Sequence, residues 1–133
     1  MRGTSLHEEL DKLLCERYPA IFADRHASIE TSSMGWGFCT GDGWFDLIDS
    51  LCAQLQDMTT LQEMPQVVAT QVKEKFGGLR FYVRGTSKEQ RAVISFAQRL
   101  SHRICETCGS ARWHEDTPCG CPRPQRYPGR QPV

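Results

Sequence analysis

Four of the seven cysteines, Cys105, Cys108, Cys119 and Cys121, are gathered near the C-terminal end of a 133-residue chain. Cys105-Glu-Thr-Cys108-Gly109 has the spacing of a zinc knuckle: two thiolates separated by two residues, then a glycine that lets backbone amides turn toward sulfur. Cys119-Gly-Cys121 supplies a second pair after a gap of ten residues. Four thiolates in a tetrahedral array fill the coordination shell, so a zinc ion bound here is structural and has no open position for catalysis. His114 lies between the pairs and is an alternative fourth ligand in place of Cys119 or Cys121; as an exposed neighbour of Trp113 it would have no such role. The competing reading of the whole group is a set of unligated thiols in a loose segment.

A second constellation is electrostatic. Lys73, Lys75, Arg80 and Arg84 surround Tyr82 in VKEKFGGLRFYVR, which offers cations and one aromatic ring to an acidic protein surface, or to a phosphate backbone with a stackable base. A solvated outer sheet face has the same composition. Glu74 falls among apolar residues of this stretch, where a carboxylate needs a partner, a place at the core's rim or a raised pKa. Enzymatic chemistry calls for a nucleophile with its base, paired carboxylates or an open metal site, and none stands at a readable spacing. Asp42, Asp46 and Asp49 cluster where a helix begins, and capping and the helix dipole account for acids there. Gly41, Gly43, Gly77 and Gly78 lack the context of a phosphate-binding loop.

The elements that must carry these groups follow from periodicity. Val67 to Arg84 reads as a hairpin with Gly77-Gly78 as its two-residue turn, which would pair Lys75 with Arg80, Glu74 with Phe81 and Val72 with Val83. One face is then Val68, Thr70, Val72, Glu74, Phe76, Leu79, Phe81 and Val83, and the opposite face holds the cations. Leu6, Leu10, Leu13 and Leu14 predict an amphipathic helix over 5–17, capped by Thr4 or Ser5. Ile21 and Phe22 are expected under the core. Alternation over 32–39 gives a short strand or extended arm, with Met34, Trp36 and Phe38 on one side. Asp42 is the expected N-cap of a central core helix carrying Trp44, Phe45, Leu47, Ile48, Leu51, Cys52, Leu55 and Met58. Ser87 with Gln90 three residues on forms a capping box for a last helix over 87–105, whose buried face is Val93, Ile94, Phe96, Ala97, Leu100 and Ile104. The fold class is therefore α+β: amphipathic helices on an antiparallel hairpin, with room for a third strand. The expected organisation is a core domain over 1–104, a zinc element over 105–121 and a disordered, basic, proline-rich tail over 122–133.

Net charge is zero, but residues 1–65 hold four Lys/Arg against eleven Asp/Glu and residues 66–104 hold eight against two. Either the acidic part neutralises the basic part within the fold, or each faces a different partner. No run approaches the ~18 apolar residues of a membrane span. Met1 to Ser5 leads into a charged helix without an apolar signal region, and the odd cysteine count favours thiols over disulfides, so the expected compartment is the cytoplasm.

Three segments together, GDGWFDLIDSLC at 41–52, VKEKFGGLRFYV at 72–83 and CETCG at 105–109, resemble a family of small, largely uncharacterised proteins encoded by phages and prophages. The resemblance covers most of the chain, from the first helix to Cys121. It implies a non-enzymatic protein of the bacterial host's cytoplasm with a C-terminal zinc knuckle, used in phage–host conflict. Relatives often pair Cys with His in the second half of the metal motif, where this chain has Cys119-Gly-Cys121. The function expected is binding, with modulation or inhibition, of a host protein or complex that has an acidic surface. The alternatives are a nucleic-acid-binding module using the 73–84 face, and a binder of, or enzyme acting on, a nucleotide-type ligand.

Overall fold

Val72, Leu79 and Phe81 all point inward from one hairpin and are all buried, which fixes the inner face of the sheet. A computed structural model describes residues 5–112 together with Cys119 and Cys121. Its elements are α1 (Glu8–Arg17), β1 (Phe38–Cys39), α2 (Phe45–Leu61), β2 (Val68–Lys75), β3 (Gly78–Arg84) and α3 (Lys88–Ser101), with 3-10 turns at Ser33–Trp36 and Asp42–Trp44. The sheet order is β1-β2-β3, with β1 parallel and β3 antiparallel to β2. The architecture is α+β, as expected, and the third strand exists, although only two residues of the 32–39 stretch extend. Met34 and Phe38 are buried as the alternation requires, but the 3-10 turn between them swings Trp36 outward.

The hairpin turns one residue earlier than expected. Its loop is Phe76-Gly77, with both residues at positive φ (54° and 83°), the signature of a type I′ turn. Lys75 therefore pairs with Gly78, Glu74 with Leu79, Lys73 with Arg80 and Val72 with Phe81. The reason lies outside the hairpin: the ring of His102 rests where a side chain on residue 78 would project, so Gly78 serves as a strand residue beneath it. Relative to the expected register one strand slides by two residues, which preserves the faces near the turn. Phe76 is the casualty, leaving the core face for the tip. Farther along, the pairing shifts between Ala69 and Gln71, leaving Thr70 as a bulge. The bulge resets the alternation, so Val67 and Ala69 are buried where Val68 and Thr70 were expected.

The inner face packs on α2, whose Ile48, Leu51, Cys52, Leu55 and Met58 are buried, and on Leu14 of α1. Ile21 and Phe22 fill the space beneath; the Phe22 ring meets Phe38 edge-on at 4.9 Å, and the Ile21 carbonyl accepts the Ala69 N–H at 2.8 Å. α1 starts at Glu8 with His7 as N-cap, so Ser5 caps nothing, and Thr4 lies outside the described residues. Asp42 does not cap α2; its carboxylate instead accepts the His7 N–H at 2.7 Å, thirty-five residues away in sequence. The Ser87/Gln90 capping box of α3 forms in full. α3 ends at Ser101 and lies along the free edge of β3. Ser101 Oγ accepts the Leu79 N–H at 2.8 Å and Gln98 Oε1 accepts the Phe81 N–H at 2.9 Å, which satisfies an edge that would otherwise be open to pairing. Ile94 and Ala97 face the core, but Phe96, expected with them, is 66% exposed on the far side of the helix. Among the described residues no helix is long and apolar enough to cross a membrane. The tail over 122–133 lies outside the described residues.

Candidate metal centre

The turn after α3 builds one half of the cysteine site. The Arg103 and Ile104 amides continue the helical hydrogen bonds, and then the chain folds back on itself: Ile104 bridges Ala111, Cys105 N–H donates to Ser110 O at 2.9 Å, and Gly109 N–H donates to Cys105 O at 2.8 Å. Gly109 sits at φ 81°, the left-handed conformation this reversal needs. The loop aims the Cys105 and Cys108 sulfurs to one side, where Cys119 and Cys121 meet them.

All four sulfurs lie within 4.8 Å of one another. Cys119 Sγ is 3.2 Å from Cys105 and 2.9 Å from Cys121, and Cys108 Sγ is 3.7 Å from Cys119. Cys105 is buried and Cys108 is exposed, so the centre has a wall on one side and solvent on the other. Such crowding divides the thiols. The Ser110 hydroxyl and backbone N–H pull Cys108 down to about 6. Burial opposes ionisation of Cys105, but the N–H groups of Cys108 and Thr107 and the neighbouring thiols outweigh it and hold its pKa below the usual thiol value. Cys121 is pushed far up, chiefly by its contact with Cys119. Several thiolates in this volume repel one another, and a cation among them removes the conflict. The four cysteines can therefore hold a metal ion, and a fourfold sulfur donor set suits a soft or borderline cation.

The centre is docked on the core through the other glycine-rich motif. Gly43 N–H donates to Glu106 O at 2.7 Å, Gly41 N–H donates to the Glu106 carboxylate at 2.8 Å, and the Trp44 indole N–H donates to Ile104 O at 2.9 Å. A Cβ on Gly43 would run into the Cys105 carbonyl and the Gly109 amide. Glu106 is buried by this contact. The residues between the two cysteines of the knuckle thus hold Gly41 and Gly43, a role that sequence spacing does not reveal. The only local signal was a pair of glycines flanking Asp42, which reads equally well as a simple turn.

The other predicted residues fall elsewhere. Lys73 and Arg80 face one another in register on the outer side of the sheet; Tyr82 is 41% exposed beside them, and Lys75 is exposed toward the tip. Arg84 shares the face, but both of its terminal nitrogens bind the Asp24 carboxylate, and those hydrogen bonds hold the Asp24 pKa below the usual carboxylate range. Glu74 is half-buried, and its carboxylate accepts the Gly77 N–H at 3.0 Å, so it steadies the turn. His114 and Trp113 lie outside the described residues. Comparison of the chain with protein-family models, with curated proteins and with solved structures finds no match.

Proposed function

We propose that this is a non-enzymatic, phage- or prophage-encoded binding protein that modulates a host macromolecule in the bacterial cytoplasm. A structural zinc ion on Cys105, Cys108, Cys119 and Cys121 would hold its C-terminal knuckle in shape. In a tetrahedron of Zn–S bonds near 2.3 Å the sulfurs lie about 3.8 Å apart; Cys108 and Cys119, at 3.7 Å, stand at that separation, while Cys119 and Cys121, at 2.9 Å, would spread to reach it. The partner is an acidic protein surface, met by the outer hairpin face at Lys73, Lys75, Arg80 and Tyr82, with Arg84 at its margin.

The observation that carries this reading is the pairing of Lys73 with Arg80. Like charges directly opposite on an antiparallel pair destabilise it. Kept on an exposed face with Lys75 two residues on, they supply a field that an anionic partner completes. A second reading, nucleic acid, draws on a groove along the same face lined by Thr31, Ser33, Gln71, Lys73 and Tyr82, donors that suit phosphate beside a ring that suits a base.

The test is the double variant Lys73→Glu with Arg80→Glu. It should leave the thermal midpoint nearly unchanged, because one like-charge pair on the outer face is exchanged for another without loss of packing. It should also abolish retention on polyglutamate. Persistent retention would remove the charged face from the mechanism, and binding of oligothymidylate with a steep salt dependence would favour the nucleic-acid reading.

A further inference from the structure

Phe76 occupies a position that nothing inside the protein explains. The Gly78–His102 contact accounts for why residue 76 falls in the turn, but not for why a phenylalanine fills it. The first position of a type I′ turn demands positive φ, which Asn, Asp and Gly tolerate and a bulky residue does not. Phe76 adopts φ 54° and leaves 74% of its surface in solvent, so it is both strained and without a buried contact to offset the strain. Phe96, the other strongly exposed phenylalanine, differs: it lies beside Leu100 on the regular surface of α3, in helical backbone that carries no such strain.

The tip is also braced by its neighbours. The Glu74 carboxylate fixes the Gly77 N–H at 3.0 Å, His102 packs on Gly78 at the base of the loop, and Lys75 Nζ lies 5.5 Å from the centroid of the Phe76 ring. Behind it runs the pair Lys73 and Arg80. An aromatic ring projecting from a braced backbone turn next to a row of cations is the form of an interface anchor, since the turn itself needs little ordering on binding.

From this we infer that Phe76 is the anchor of the hairpin face and enters an apolar pocket on an acidic-surfaced protein, the cations around it meeting carboxylates at the pocket's rim. The inference rests on the charged-face reading above and adds to it the chemistry of the partner's centre. A protein fits better than a nucleic acid because the ring projects from the tip rather than lying flat on the basic face, where Tyr82 already offers a stacking surface.

Three probes of equal length test it: a peptide alternating glutamate with leucine, polyglutamate, and oligothymidylate. The native chain should hold the glutamate–leucine peptide more tightly than polyglutamate. Phe76→Asn gives the turn a residue it prefers, so the thermal midpoint should hold or rise, while affinity for the glutamate–leucine peptide should fall by about tenfold or more and that for polyglutamate should not change. Phe76→Leu, which keeps an apolar group, should retain most of the preference. The inference is overturned if Phe76→Asn unfolds the protein, if the native chain shows no preference for the leucine-containing peptide, or if oligothymidylate is the tightest probe and is the one lost in Phe76→Asn. Loss of all polyanion binding in the Lys73/Arg80 variant speaks only to the charged face, so the two readings can fail separately.

Discussion

Gly43 shows how much a single hydrogen atom can decide. Its backbone touches the knuckle so closely that a methyl group would press on the Cys105 carbonyl and the Gly109 amide, both of them main chain and neither able to move aside as a flexible side chain would. Gly43→Ala should cost about 1–3 kcal/mol as an overpacking change, and a denaturant midpoint equal to that of the native chain would mean that the knuckle is not seated as described. Tyr18 makes the complementary point about a proton. Burial first, and then the hydrogen bond from its hydroxyl to the Asp49 carboxylate at 2.9 Å, push its pKa up to about 12. The folded-state value lies above the unfolded one, so the contribution to stability is complete below about pH 10 and fades as pH climbs through the folded value. An alkaline absorbance titration should therefore show a late-ionising tyrosine that Tyr18→Phe removes; an unchanged titration curve in that variant would contradict the contact.

At the scale of elements, what could be read from sequence was whatever depended on neighbours along the chain. Ser87 and Gln90 cap α3 as their spacing predicts, because both partners lie within one turn. The stripe of α2 and the hairpin faces between the bulge and the turn follow from periods of 3.6 and 2, and a slip of two residues leaves that part of the faces intact. The register itself was not legible, since Gly78 is claimed by His102 and the bulge at Thr70 has no marker in the sequence. Asp42 looked like a helix cap but serves His7, and Phe96 looked like core but faces solvent. The hairpin description predicts a clear ranking. Phe81→Ala removes a buried ring and should cost about 3–5 kcal/mol, whereas Arg84→Ala, an exposed ion pair with Asp24, should cost well under about 1 kcal/mol. Denaturant midpoints in the opposite order would invalidate the assignment of the inner face.

For the molecule as a whole, the cysteine cluster was readable because its four members sit in one short segment, but its relation to the rest was not. The hydrogen bond from Gly41 to Glu106 joins residues 65 positions apart, and no local pattern announces it. That contact changes what metal loss should do. Amides belonging to the core, not only those of the C-terminal segment, are held by groups that the metal would order, and metal binding couples to folding wherever such groups meet. Charge follows the same division between local and distant. The acidic N-terminal part reaches the basic hairpin through Asp24 and Arg84, while Lys73 and Arg80 remain paired with one another on the outer face.

The central claim, a structural zinc that holds the knuckle on the Gly41–Trp44 turn, is tested most directly by hydrogen exchange on the intact chain before and after chelation, with the metal content read from the same sample by native mass spectrometry. The prediction is one zinc per chain. On its removal, protection should fall at Cys105, Gly109, Gly41 and Gly43, while the amides of Ile48 to Leu55 in α2 keep theirs. A chain purified without metal whose Cys105, Gly109, Gly41 and Gly43 amides are as slow to exchange as those of α2 would contradict it.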